Sequence, residues 1–185
     1  MPFFLRLATP ADIPALEVLI PLSARRLQAA TYSRGQIEAA LGRVLGVDTQ
    51  LIRDGCYFVA QAGTAIVGCG GWSRRRTLFG SDHGPVKDDQ FLDPATEPAR
   101  VRAFFVHPDW ARRGIGRAIL AECEAAAVGM GFRSLELAAT LAGIPLYTAC
   151  GFTAVETVAV ALGDGQSLPV VRMRKDLRPP ATASK

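Results

Sequence analysis

Apolar and polar positions fall along this chain in blocks whose spacing switches between the two-residue period of strands and the 3.6-residue period of helices. Phe3 to Ala8 reads as a first strand. Thr9-Pro10-Ala11-Asp12 then supplies a capping hydroxyl, a proline and an early acid, the signature of a helix start. Ile13, Leu16, Leu19 and Ile20 recur at helical spacing and carry that helix through Leu22, with Pro14 close enough to the start to be tolerated. Ser33 to Leu45 predicts a second helix, with Ile37, Leu41, Val44 and Leu45 on its apolar side. Cys56 to Gln61 and Ala65 to Trp72 flank Ala62-Gly63-Thr64 and predict an antiparallel hairpin. Val101 to Val106 gives the strongest strand pattern, Gly114 to Met130 the strongest helix, and Ser134 to Ala139 a further strand. A short helix around Leu146 and two apolar segments, Val155 to Leu162 and Leu168 to Met173, parted by Gly163-Asp164-Gly165, complete the series.

Arg74 to Pro98 breaks this alternation. It is polar, carries Gly80, Gly84, Pro85, Pro94 and Pro98, and is too long for a simple turn, and loops of that length are usually functional or mobile. Residues 178–185 read as a disordered tail, which leaves residues 1–177 as one domain. With 185 residues, 49% hydrophobic and 21% charged, the chain can bury one substantial α/β core and is short for two. No apolar run approaches the roughly 18 residues of a membrane span. The N-terminus lacks the charged-then-apolar pattern of a leader, so the expectation is a cytoplasmic protein without membrane contact. Cys56, Cys69, Cys123 and Cys150 are scattered, with no pair at zinc or redox spacing; they read as reduced, mostly buried thiols, and no metal is expected. The net charge of +4 would suit nucleic acid, but the arginines are dispersed and no basic helix interleaved with aromatics occurs. A polyanionic small molecule accounts for the charge equally well.

Candidate chemistry concentrates at one strand-to-helix junction. From Val106 the chain turns through His107-Pro108-Asp109-Trp110-Ala111 and starts its strongest helix through Gly114 and Gly116. Glycines there let a ligand approach the backbone, and the unpaired N–H groups and positive dipole end of the new helix face any phosphate. Arg112, Arg113 and Arg117 add full charges. The spacing is neither a dinucleotide fingerprint nor a P-loop.

Val106-His107-Pro108 followed by Arg113-Gly114-Ile115-Gly116 resembles the pyrophosphate-binding motif Q/R-x-x-G-x-G/A of GNAT acetyltransferases, with Ala111 where the family usually has Gln or Arg. Gly143-Ile144-Pro145-Leu146-Tyr147-Thr148-Ala149-Cys150-Gly151-Phe152 resembles the family's later block, a tyrosine followed four residues on by Gly-Phe, without its usual opening asparagine. The resemblance implies a GNAT fold of the α/β (α+β) class. That fold is a mixed, mostly antiparallel twisted sheet of about six to seven strands, splayed between the fourth and fifth, with about four flanking helices. It also implies transfer of an acetyl group from acetyl-CoA to a primary amine of a small molecule or peptide, by direct attack in a ternary complex.

On that resemblance the cofactor-binding residues are Phe105, Val106, His107, Arg112, Arg113, Gly114, Ile115, Gly116 and Arg117, with the pantetheine amides bonded to the backbone near Phe105 to His107. Tyr147 matches the family's general acid, which protonates the departing thiolate. The family's base positions on the fourth strand hold Arg100 and Arg102, and an arginine stays protonated at working pH. Two readings of the base remain open: the proton leaves through water to Glu136, Glu97 or Asp93, with Glu136 the leading relay, or the acceptor amine needs little help. Arg100 and Arg102 suit an acceptor carrying a carboxylate or phosphate, and equally suit internal ion pairs with Glu97 or Glu136. His83 and His107 are the histidines available as proton carriers. A non-catalytic acyl-CoA sensor on the same fold is the alternative, and a homodimer is left open.

Overall fold

The computed structural model describes residues 2–83, 88–163 and 165–177, so Gly84 and Pro85, Asp164 of the last turn and the expected tail lie outside the described residues. The strands are β1 (Phe4–Leu7), β2 (Tyr57–Ala62), β3 (Ala65–Ser73), β4 (Ala99–Val106), β5 (Ser134–Thr140), β6 (Thr153–Gly163) and β7 (Gln166–Asp176). The helices among the described residues are α1 (Ile13–Leu27), α2 (Arg34–Ala40), α3 (Thr49–Arg53), α4 (Ile115–Gly129) and α5 (Ile144–Ala149). Among the described residues the strands form one seven-stranded sheet in the order β1-β2-β3-β4-β5-β7-β6. Every neighbouring pair is antiparallel except β4 and β5. One core packs α4 and α5 on one face, around Ile119, Leu120, Leu135 and Tyr147; the other packs α1 and α2 on the opposite face, around Leu16, Ile20, Ile37 and Leu168.

Three helical expectations change. α1 runs past Leu22 to Leu27 with Pro21 inside, and Arg25 and Arg26 in its last turn suit the negative dipole end. Ser33 and Gln36 cap α2 reciprocally, but α2 stops at Ala40. Gly42, at φ 80°, reverses the chain there, so Val44 and Leu45 pack from a turn and not from a helix. α3, only five residues long, has no counterpart in the sequence pattern.

The 74–98 segment folds back on itself where it is described. Leu92 N–H donates to the Arg74 carbonyl at 2.8 Å, and Arg75 grips Asp54 at 2.7 and 3.0 Å.

An early ion pair fixes the first turn. Arg6 forks onto Asp12 at 2.8 and 2.7 Å, and Asp12 accepts the Thr9 N–H at 2.7 Å. The guanidinium hydrogen bonds outweigh burial and bring the Asp12 carboxyl down to about 2. A lowered carboxylate stabilises the fold above its unfolded value of about 3.9, and that contribution is lost as pH falls toward about 2. Asp12→Asn is therefore expected to melt below the wild type at neutral pH and to converge with it near pH 2, in thermal unfolding followed against pH.

Candidate active site

β4 and β5 pair only at Ala99↔Leu135 and Arg100↔Glu136, and then diverge. A backbone irregularity in β4 accompanies the divergence. Cys69 faces Phe105 and Gly71 faces Arg102, so Ala103 and Phe104 together oppose Gly70 as a bulge. Ala103 sits at φ 60°, an uncommon conformation for alanine, and its carbonyl accepts the Tyr57 hydroxyl at 3.0 Å. Close packing follows from β3, where a Cβ at Gly68 would lie 2.5 Å from Ile115 Cγ2. The absence of that atom lets α4 dock on the sheet.

A cavity of about 630 Å³ occupies the gap. It is lined from both faces of the sheet: Ile115, Leu146 and Tyr147 from the α4 and α5 side, and Leu45, Phe79 and Val170 from the α1 and α2 side. The cavity thus runs through the sheet at the splay.

Its α4 end has the form of an anion cradle. Gly114 is the N-cap at φ 85°, with no side-chain cap, and an added Cβ there would meet nothing within 4 Å. Arg112 precedes it at φ 64°, so left-handed residues turn the backbone at this loop. Arg112 and Arg117 are exposed and line the cavity with Gly114, Ile115 and Gly116. Arg113 does not line it; its guanidinium lies 4.9 Å over the Trp110 ring. Gly116 differs from Gly114, since a Cβ there would come 2.9 Å from Leu146 Cδ2, which makes it a contact between α4 and α5 as well as a lining residue.

Along β4, Phe105 and Val106 line the cavity, whereas His107 does not. His107 N–H is held by the Val67 carbonyl at 2.9 Å, and its Nδ1 accepts the Asp109 N–H at 3.2 Å, so its side chain caps the Pro108–Trp110 turn. Val106 N–H donates to Ser23 Oγ of α1 at 3.2 Å. Ser23 is buried and lines the cavity, and no motif points to it; the only trace is a serine inside the apolar stripe Leu16, Leu19, Ile20, Ala24.

Tyr147 stands on α5 with its ring edge-on to Phe104 and Phe152, at 6.1 and 5.8 Å between centroids. It lines the cavity at 8% exposure, and among the described residues its hydroxyl has no hydrogen-bond partner. Burial pushes its phenol above the ordinary value, so the proton stays on through the neutral and mildly alkaline range.

Arg100 and Arg102 both find carboxylates inside the protein. Arg100 pairs with Glu136, whose other oxygen meets Arg172 at 3.1 Å; neither Arg100 nor Glu136 lines the cavity. Arg172 continues to Glu156 at 2.9 Å, and the resulting chain of charges ties β4, β5, β7 and β6 at the last paired register before the splay. A base role for Glu136 would require one of these ion pairs to break. Arg102 does line the cavity, but its guanidinium faces buried Asp48 at 3.1 Å and donates to the Thr77 carbonyl at 3.2 Å. His83 is exposed, Asp93 and Glu97 cap their own turn, and none of the three lines the cavity. Burial raises Cys56 to about 11 and Cys69 to about 12, which leaves both thiols protonated at neutral pH. No group of three or more His, Cys, Asp or Glu that could hold a metal occurs among the described residues, and no described helix is long and apolar enough to cross a membrane.

Comparison with solved structures gives the same fold. A GCN5-related N-acetyltransferase from Rhodopseudomonas palustris is 21% identical, superposes with a TM-score of 0.69 and covers 94% of this chain and 95% of its own. PaiA N-acetyltransferase from Thermoplasma acidophilum, solved in complex with coenzyme A, is 17% identical, with a TM-score of 0.63 over 95% of this chain and 99% of its own. YncA from Salmonella typhimurium, solved with acetyl-CoA, is 18% identical, with a TM-score of 0.61 over 100% and 99%. No curated protein sequence gives a significant match. The sequence profile of the acetyltransferase (GNAT) domain matches residues 53–154, more than half of the chain, from the last residue of α3 through the β4 splay, the Gly114 cradle and Tyr147. The chain belongs to the GNAT acetyltransferase family.

Proposed function

We propose that residues 1–177 act as one acetyltransferase unit that moves an acetyl group from acetyl-CoA to a primary amine by direct attack. The observation that carries this reading is the cavity through the splay, which joins the uncapped, arginine-flanked start of α4 to Tyr147. The coenzyme A complexes of structurally similar proteins support the choice of donor.

In this reading the N–H groups at the start of α4, with Arg112 and Arg117, hold the pyrophosphate. The pantetheine arm lies along Phe105 and Val106 in the gap, with the Ser23–Val106 hydrogen bond at its side. Arg113 and His107 shape the loop, through Trp110 and the Asp109 N–H. The neutral amine attacks the thioester carbonyl, a C–N bond forms, and collapse of the tetrahedral species breaks the C–S bond. Tyr147 gives its proton to the departing thiolate, and the proton lost by the amine passes to water, from which Tyr147 is recharged. Glu136 holds the strands at the mouth of the splay, and holding amine and thioester together supplies several kcal/mol more, about 7 or above.

Acetyl-CoA is expected to raise the melting temperature, because a ligand bound only by the folded state stabilises it by mass action. Thermal shift with acetyl-CoA, followed by thiol release over an amine panel, tests the assignment. No shift near millimolar concentration would remove the cofactor. A shift without turnover of any amine would assign the chain as an acyl-CoA sensor.

A further inference from the structure

The α1 side of the cavity bears on the acceptor, given the acetyltransferase reading. Its walls are hydrocarbon: Leu27 of α1, Val44 and Leu45 of the turn after α2, Leu78 and Phe79 of the 74–98 segment, and Val170 of β7. The polar groups beside them, Ser23, Gln28 and Thr140, are neutral. Gln28 ends α1 and is 7% exposed; its Oε1 is buried and has no hydrogen-bond partner among the described residues. A buried amide oxygen left in that state is costly until a donor reaches it, and the residue already lines the cavity.

The charge on this side of the cavity is matched within the protein. Arg102 is the cation on this side, and its side chain, 4% exposed, faces Asp48, 0% exposed. Its Nε and Nη2 are buried without a hydrogen-bond partner, and the Asp48 carboxylate beside Nη2 balances their charge. Among the described residues no carboxylate lines the cavity. An acceptor whose body carries a carboxylate or phosphate therefore meets no unmatched cation here, and one carrying a second ammonium meets no anion. Either would lose its hydration without a partner to replace it.

We infer that the acceptor is a monoamine on an uncharged, apolar body, with its amine N–H oriented by the Gln28 carboxamide oxygen. The body fills the Leu27, Val44, Leu78 and Phe79 wall while the amine points toward the splay and Tyr147.

A matched series tests this on the full chain. Hexylamine, 6-aminohexanoate and 1,6-diaminohexane share one linear body and differ at the far end: methyl, carboxylate or ammonium. Hexylamine is expected to exceed both others in kcat/KM by about tenfold or more, the scale at which an unpaired charge is refused. Gln28→Leu is expected to raise the hexylamine KM while the acetyl-CoA KM holds. Phe79→Asp, at a half-buried loop position, is expected to shift the ratio of diaminohexane to hexylamine upward by about tenfold and to keep the acetyl-CoA thermal shift. The inference is overturned if 6-aminohexanoate or diaminohexane is the best acceptor. It is overturned equally if folded, acetyl-CoA-binding Phe79→Asp leaves the ratio unchanged, or if acetyl-CoA binds and none of the three amines is turned over. Failure of acetyl-CoA to bind at all would instead overturn the donor assignment.

Discussion

Tyr147→Phe is expected to bind acetyl-CoA as the wild type does and to lose turnover by about 10- to 10³-fold, the range for removal of one acid catalyst. The substitution is clean in this site. The ring keeps its edge contacts with Phe104 and Phe152, and since the hydroxyl has no partner among the described residues, its removal orphans no other group. Loss should fall on kcat, because the phenol acts as the thiolate leaves and not as the thioester binds. Burial raises the Tyr147 phenol, so the donor is protonated at every ordinary assay pH, and an alkaline decline in wild-type activity below about pH 10 should not be traced to it. The defect should shrink for an acyl donor with a more acidic thiol, whose departure needs less protonation. Wild-type kcat in Tyr147→Phe, measured by thiol release with an acceptor that supports fast chemistry, would remove Tyr147 from the mechanism.

What could be read from the sequence follows the range of the interactions involved. The β2–β3 hairpin, β4, α4 and β5 are visible because each is an apolar run whose period is set by its own residues, and the observed bounds differ from the expected ones by a few residues. The cradle at Gly114 and the position of Tyr147 are visible because each lies in a short contiguous block. α3 escaped, since five residues hold little more than one turn of pattern. The early end of α2 escaped because Gly42 stands inside an apolar spacing that continues past it.

The charges and polar groups of the site were hardest, because their meaning lies in partners distant along the chain. Arg100 and Arg102 stand in the sequence as basic residues at the family's base positions, but their pairing with Glu136 and Asp48 exists only once β4, β5 and the 41–49 segment meet. Ser23 acquires its place from the N–H of Val106, 83 residues on. No local spacing encodes that contact, and the bulge beside it falls on Ala103, an alanine with no sequence mark of a left-handed backbone.

The two glycines of the cradle are expected to fail in different ways, and the difference separates phosphate binding from packing. Gly114→Val adds bulk where nothing stands within 4 Å, on the surface that the proposed pyrophosphate occupies. Its left-handed φ of 85° costs a β-branched residue about 1–2 kcal/mol, which lowers the apo melting temperature by some degrees without unfolding a domain of ordinary stability. The acetyl-CoA thermal shift should vanish in this variant. Gly116→Val instead drives its side chain against Leu146, whose Cδ2 lies 2.9 Å from a bare Cβ, so that Leu146 must turn or α5 with Tyr147 must shift from α4. Overpacking of that kind costs about 1–3 kcal/mol, so the apo protein should be destabilised and turnover lost even where some acetyl-CoA binding persists. The measurement is the pair of melting temperatures, with and without acetyl-CoA, for each variant. A full acetyl-CoA shift in Gly114→Val would show that the loop serves the fold and not the phosphates.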